Sequence, residues 1–376
     1  MSITIAVPKE TANGEKRVAL VPSVLKQFTK LGVDVRMQRG AGEAAGFPDD
    51  LYEGVSWADD QTALYNEADV VLRVQPPSVE EAGKLPEKSL LLGFLTPHEG
   101  DSRIRNLNKR SVSSFALELV PRITRAQGID ALSSQANIAG YKCALLASYL
   151  SPKLFPMLTT AAGTVRPAKV VIIGAGVAGL QAIATAKRLG AIVEAYDVRS
   201  ATREQVESLG GKFIDTGVSA EGEGGYAREL TEDEKARQAE ILAQHIAQAD
   251  AVITTASIPG RPAPKIIDQA TVERMKAGAV IVDMAAETGG NCALTEAGKD
   301  VTHHGVTIAG PKNIPSMAAT HASEMYARNL VNLLGLIIKD GEIHLDWDDQ
   351  VVADSCLTHD GETRHAPTRE RMEGDK

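Results

Sequence analysis

Short, almost wholly apolar runs alternate in the first third of the chain with stretches whose apolar residues recur at helical spacing. Ile3–Val7 is such a run, followed by a polar turn, a helical pattern over 22–31 and a second strand-like run at Val33–Gln38. A helix-spaced segment between two β-rich runs reads as a βαβ unit. A second round predicts strands over 68–74 and 90–95, a polar helix around 103–109 and a strand over 113–117. Strands apolar on both faces, alternating with helices, imply a parallel sheet covered on both sides.

The texture changes at Val120. Residues 122–141 are polar, poor in strand formers and rich in Ser, Gln and Ala, and 141–150 turn apolar at helical spacing, which predicts a loop feeding a connecting helix. A second βαβ series begins at Lys169, with strands over 170–173, Ile192–Tyr196, 212–214, Ala251–Thr254, 279–283 and 307–309. Six strands complete a doubly wound sheet, so the helical stretch 318–336 is expected to return to the first domain and the polar tail from Asp354 to fray. The fold class is α/β: two Rossmann-like doubly wound parallel-sheet domains with a cleft between them. One is expected to take residues 1–135 plus 318–376, the other 140–315.

Composition narrows the partners. Aromatic residues at 4% leave few faces on which bases could stack, and a formal charge of -9 opposes a polyphosphate backbone, so no nucleic acid is expected. Cys143, Cys292 and Cys356 are far apart and odd in number, which predicts buried free thiols in a reducing compartment. The longest uncharged run, 170–186, carries three glycines and a Gln and reads as strand, turn and helix instead of a membrane span. With no basic leader before an apolar stretch at the N-terminus, a cytoplasmic protein without direct membrane insertion is expected.

Within that run the apolar strand leads straight into Gly174-Ala175-Gly176-Val177-Ala178-Gly179 and then a helix. In such a GxGxxG turn Gly174 permits the tight turn, Gly176 lets the backbone approach a pyrophosphate, and Gly179 lets the helix pack close to the strand. The next strand ends at Asp197, where a carboxylate can accept hydrogen bonds from the adenosine ribose hydroxyls and disfavours a 2′-phosphate, so NAD(H) is the expected cofactor. Arg199, two residues on, is expected to stack in solvent on the adenine, with pairing to a phosphate as the alternative. Residues 215–234, rich in Gly and Glu and holding Tyr226, read as a lid or an insertion, and the lone tyrosine favours the lid.

No HExxH, CxxC, GxSxG or P-loop motif is present, which leaves hydride transfer. The adjacent His303 and His304 read as a solvated pair, and no metal is expected. Polar side chains concentrate at Arg122, Arg125, Gln127, Asp130, Ser133, Ser134, Gln135 and Asn137, at the predicted junction of the domains: a nicotinamide-side site, or else a hydrated hinge.

The run Pro121-Arg122-Ile123-Thr124-Arg125-Ala126-Gln127-Gly128-Ile129-Asp130-Ala131-Leu132-Ser133-Ser134-Gln135-Ala136-Asn137 resembles the NAD(H)-binding component, domain I, of proton-translocating NAD(P) transhydrogenases. So do 160–165, 187–211 with Asp197-Val198-Arg199, 224–227 and 280–292, and the likeness covers nearly the whole chain. The resemblance implies a peripheral subunit that holds NADH and passes its hydride directly to NADP⁺ on a partner, coupled to proton movement in a membrane-embedded component. It implies that Arg122, Gln127, Asp130 and Ser133 serve the nicotinamide. It places Gly174, Gly176, Val177, Gly179, Asp197, Val198, Arg199, Gly225, Tyr226 and Ser257 around the cofactor. It implies a homodimer held at the inner face of the cell membrane by NADP(H)-binding and membrane-spanning components on separate chains.

The nearest rival is the related alanine dehydrogenase, which uses a Lys and a His on its own substrate. Those positions align with Gln75 in Val71-Leu72-Arg73-Val74-Gln75 and Thr96 in Gly93-Phe94-Leu95-Thr96, while Arg17 matches a substrate-carboxylate Arg. A Rossmann subunit that binds NAD(H) without turnover is the non-catalytic alternative, and it gives the 122–133 segment no purpose.

Overall fold

The computed structural model describes residues 2–66, 68–217, 231–257 and 260–374. The chain divides into two compact units, one of residues 1–135 with 316–376 and one of 136–315.

In the first unit an eight-stranded sheet runs Glu362–Thr363, Cys356–His359, Ser113–Ala116, Leu90–Gly93, Val70–Leu72, Ile3–Val7, Val33–Gln38, Ser56–Ala58. The last six are parallel, in register Ile3↔Val33 on one side of the first strand and Ile5↔Val70 on the other. Val70–Leu72, Leu90–Gly93 and Ser113–Ala116 are buried along their whole length, as strands sandwiched between helix layers must be. One layer holds Phe28, Tyr326, Leu330 and Leu334, the last three from the helix Ala319–Ile337, and the other holds Leu64, Leu85, Ile104 and Leu107.

The second unit repeats the winding. Its seven-stranded sheet runs Lys212–Phe213, Ile192–Tyr196, Lys169–Ile173, Ala251–Thr254, Val280–Asp283, Val306–Ala309, Asp300–His303, and only the last strand is antiparallel. Strand order reverses between Lys169–Ile173 and Ala251–Thr254, and the crevice beyond such a switch point is where open α/β sheets take ligands. In each unit the sheet and its two-sided cover match the α/β reading.

Three expectations are corrected. The tail does not fray: Cys356–His359 pairs antiparallel with Ser113–Ala116, Leu357 is fully buried, and a helix over Ala366–Gly374 follows. The segment 131–140 is helix rather than loop, because Asp130 accepts hydrogen bonds from the backbone N–H (2.9 Å) and hydroxyl (2.5 Å) of Ser133 and so starts Ala131–Leu150 ten residues early. Asp300–His303 adds a seventh strand to the second sheet; its alternating exposed and half-buried residues carry no core signal. Cys143, Cys292 and Cys356 are all free and buried.

Candidate functional site

The buried strand Lys169–Ile173 delivers the chain to Gly174, whose φ of +96° lies in the left-handed region. A Cβ there would stand 2.6 Å from the Thr255 hydroxyl, so both backbone and space require glycine. Thr255 opens the loop after Ala251–Thr254, and its hydroxyl contacts the carbonyls of Ile173 (3.2 Å) and Gly174 (3.1 Å), tying the two strands together at the switch point. Gly179 packs so closely that a Cβ would fall 1.8 Å from the Gly174 carbonyl oxygen. Gly176 is the opposite case, with no heavy atom within 4 Å of where its Cβ would be. It is the N-cap of Val177–Arg188 and offers no side chain to the first N–H groups of that helix, while Val177 is exposed. Open space beside uncapped donors and the positive end of a helix dipole fits a pyrophosphate.

Asp197 follows the strand Ile192–Tyr196 and is nearly buried. Its Oδ2 accepts from the N–H of Ala175 (2.7 Å) and Nη2 of Arg199 (3.0 Å), and its Oδ1 from the backbone N–H and Nε of Arg199, both at 2.9 Å. Burial pushes the carboxyl up, but these donors and the Arg199 charge outweigh it and hold the carboxyl below its ordinary range. Arg199 is therefore folded back on Asp197, although 55% of its side chain is exposed. Val198 and Ser257 are exposed at the same end of the sheet. Gly225 and Tyr226, and with them most of the expected lid, lie outside the described residues.

Residues that no sequence motif marks hold this frame. Asn291, fully buried, accepts from the Ala256 N–H (3.1 Å) and donates to the carbonyls of Ala256 (2.8 Å) and Pro264 (2.9 Å), fixing the residue before Ser257. Asp283 is buried and accepts from Thr254, Ala285, Cys292 and Thr295. The one signal for Asn291 is local: it follows Gly289 and Gly290, both at positive φ. Gly140 allows the helix Ala131–Leu150 to approach Ala178, whose carbonyl oxygen would be 2.0 Å from a Cβ.

The other expected residues lie in the first unit. Asp130 and Ser133 are brought together in the helix start, and Gly128 in the same segment accepts from the amides of Asn329 (2.9 Å) and Asn332 (2.8 Å). Arg125 pairs with Asp349 at 2.7 Å. Arg122 and Gln127 are exposed, and their side chains make no hydrogen bond among the described residues. His303 and His304, in the second unit, stack 4.8 Å apart at a half-exposed hairpin end, with His303 3.0 Å from Glu273.

The switch point of the first sheet, between Ile3–Val7 and Val70–Leu72, is filled by side chains. Arg73, 1% exposed, lies 3.1 Å from Glu81 and 3.8 Å from Glu10. Glu10 accepts from the N–H groups of Val74 (2.6 Å) and Gln75 (3.3 Å), yet complete burial outweighs these and Arg73 and pushes its carboxyl up to about 7. Next to it Arg17 holds Glu15 at 2.8 and 2.7 Å and reaches Gln135 at 2.9 Å. Burial raises the Glu15 carboxyl as well, but Arg17, Ser316 and Gln75 bring it down to about 2. Gln75 donates its amide to Glu15 (2.7 Å), and the Thr96 hydroxyl accepts from Arg103 (2.5 Å).

A glycine turn packed under a bare helix start, with an acidic residue closing the next strand, defines a dinucleotide-binding α/β protein of the oxidoreductase kind. The chain belongs to the alanine dehydrogenase/PNT family, matching its N-terminal domain over residues 6–139 and its C-terminal domain over 143–366. It is 46% identical to the first of the separate chains that make up the NAD(P) transhydrogenase alpha subunit of Rhodospirillum rubrum, over 96% of this chain and 97% of that one. It is 28% identical to an alanine dehydrogenase of Halomonas elongata, over 97% and 96%. The solved transhydrogenase structure from Sinorhizobium meliloti superimposes with a TM-score of 0.88 at 42% identity, covering 96% of this chain and 99% of that one. The cofactor is NAD(H).

Proposed function

We propose that this chain is the NAD(H)-holding subunit of a proton-translocating transhydrogenase, working with NADP(H)-binding and membrane-spanning components on separate chains. The observation that carries the reading is the contrast at the rival's catalytic positions. Oxidising an amino acid at its α-carbon needs a group to take a proton, assistance commonly worth on the order of 10² to 10⁴ in rate. Here the Gln75 amide is spent on Glu15 and the Thr96 hydroxyl on Arg103, and neither titrates near neutrality. Arg17, the residue suited to a substrate carboxylate, is already paired with Glu15. Direct transfer between two nicotinamides asks for no protein acid or base, only close approach and exclusion of water.

In this reading bound NADH supplies the hydride, and the chain positions it. The helix start at Gly176 and Val177 takes the pyrophosphate, Asp197 the ribose, and Val198 and Ser257 flank the cofactor, with Gly225 and Tyr226 closing over it. Arg122 and Gln127, whose side chains are uncommitted among the described residues, orient the nicotinamide, and Asp130 with Ser133 holds their loop.

A homodimer is supported by the hairpin Leu158–Thr160/Gly163–Val165, a two-stranded sheet of its own. Around it Tyr149, Leu154, Met157, Leu158 and Val165 are all exposed, Tyr149 at 84%. Among the described residues no helix is long and apolar enough to cross a membrane, which fits a subunit held peripherally by its partners.

Mixing the purified chain with its NADP(H)-binding partner tests the proposal. Hydride exchange between NADH and NADP⁺ is expected, and Gln127→Ala is expected to slow it roughly 10- to 100-fold with a smaller change in NADH affinity. Alanine-dependent NAD⁺ reduction by the chain alone would overturn the assignment.

A further inference from the structure

The adenosine end of the cofactor site holds an internal competitor. A carboxylate offers about four acceptor positions, and at Asp197 all four are filled: two by the backbone N–H groups of Ala175 and Arg199, two by Nε and Nη2 of the Arg199 side chain. The backbone donors are fixed by the strand ends and stay where they are. A ribose diol brings two O–H donors and needs two acceptor positions, and the only ones that can be vacated are those under the guanidinium. Asp197 is nearly buried, whereas the Arg199 side chain is 55% exposed on a short arm of loop, so the arginine is the partner that can leave.

We propose that Arg199 is a specificity-determining latch on the adenosine subsite: its guanidinium occupies the two acceptor positions of Asp197 until the ribose diol displaces it. The inference rests on the reading that this unit binds NAD(H). Two consequences follow from the geometry. Binding exchanges a bidentate ion pair for two hydroxyl hydrogen bonds, so the latch weakens binding of every nucleotide carrying a free 2′,3′-diol. While Arg199 lies across Asp197 it also cancels the carboxylate's charge, so a 2′-phosphate meets a neutral pair rather than a bare anion. The latch therefore narrows the preference for NADH over NADPH that Asp197 alone would enforce.

Removing the side chain leaves the backbone N–H bond from residue 199 intact and uncovers the carboxylate. Equilibrium titrations of the full chain with adenosine, NADH and NADPH should compare the unaltered protein, Arg199→Ala and Arg199→Lys, with unfolding curves run in parallel. Adenosine is the sharpest probe because it carries the diol and no charge. Arg199→Ala is expected to bind adenosine and NADH roughly three- to tenfold more tightly, within the range of a half-exposed charge-assisted pair. It should bind NADPH no better, so that the NADH:NADPH ratio widens. Arg199→Lys, which keeps the charge but not the fork, should fall between. Adenosine affinity of the unaltered protein should rise with salt as the exposed pair is screened, and this rise should vanish in Arg199→Ala. Equal or weaker adenosine and NADH binding by a folded Arg199→Ala would overturn the latch and make Arg199 a direct ligand contact. Failure of the unaltered protein to bind NADH at all would instead overturn the cofactor reading, and the latch with it.

Discussion

The two units wind their parallel strands in the same order and reach the same kind of switch point, yet one end is open and the other is plugged. In the second unit the strand after the turn gives way to glycine and a bare helix start, and backbone N–H groups face free space. In the first, the equivalent strand runs into Glu10, and Glu10, Glu15, Arg17, Arg73, Gln75 and Glu81 close the crevice with paired charges. Winding thus decides where a ligand can bind, and the first few residues after the strand decide whether one does.

The comparison breaks first at Gly179. Gly179→Val puts a side chain where even a Cβ is 1.8 Å from a backbone oxygen, so the helix must leave the strand. NADH binding should be lost, with a stability loss above about 4 kcal/mol. A folded variant with unchanged NADH affinity in a fluorescence titration would show that the close packing is not what forms the site.

The plugged end is tested by pH. The Glu10 carboxyl titrates at about 7 in the folded protein against an ordinary value of 4.5, so between those values the folded chain holds a proton the unfolded chain has released. The stability tied to that proton is fully present below pH 4.5 and is lost as pH rises to 7, on the order of 3 kcal/mol in all. Glu15, brought down to about 2, acts in reverse: its contribution is full above 4.5 and is lost as pH falls towards 2. Urea unfolding of Glu10→Gln should lack the decline between pH 4.5 and 7 that the unaltered protein shows; parallel pH profiles would refute the assignment.

Asp197→Ala sharpens the open end. Loss of a charged acceptor for the ribose should weaken NADH roughly 10- to 100-fold and shrink its advantage over NADPH. Calorimetry giving equal affinities for both cofactors in the unaltered protein would remove that role. The smallest effect is expected at Arg125→Ala, which breaks an exposed pair with Asp349 that water and salt already screen. Its unfolding midpoint should match that of the unaltered protein in both low and high salt, and a clear drop would mean the pair carries the 122–130 loop.

What is legible in the sequence is what short-range pattern encodes. Gly174, Gly176, Gly179 and Asp197 lie within one βαβ unit, and each residue's task follows from its distance to the strand end. Thr255 and Asn291 act across 81 and 35 residues, and no spacing rule connects them to the turn they hold. The plug in the first unit is hidden for a related reason: Glu10, Arg73 and Glu81 look like surface charges one at a time, and burial becomes tolerable only once the fold pairs them. The tail reads as frayed because its composition is polar, although Leu357 and Cys356 alone suffice to seat it. Arg199 reads as a solvent-facing side chain because its partner two residues away is already assigned to the ribose.

That seated tail sets the order of events during synthesis. The second unit is contiguous and has all its strands once residue 315 has left the ribosome, whereas the first unit waits for the helix Ala319–Ile337 and the strand Cys356–His359. Until then Ser113–Ala116 remains an open parallel edge with unpaired N–H and C=O groups, the kind of surface that recruits other chains. The usual rule that the amino-terminal domain folds first is therefore reversed here. The nascent protein carries a finished nucleotide domain in its middle while its beginning is held incomplete by its end.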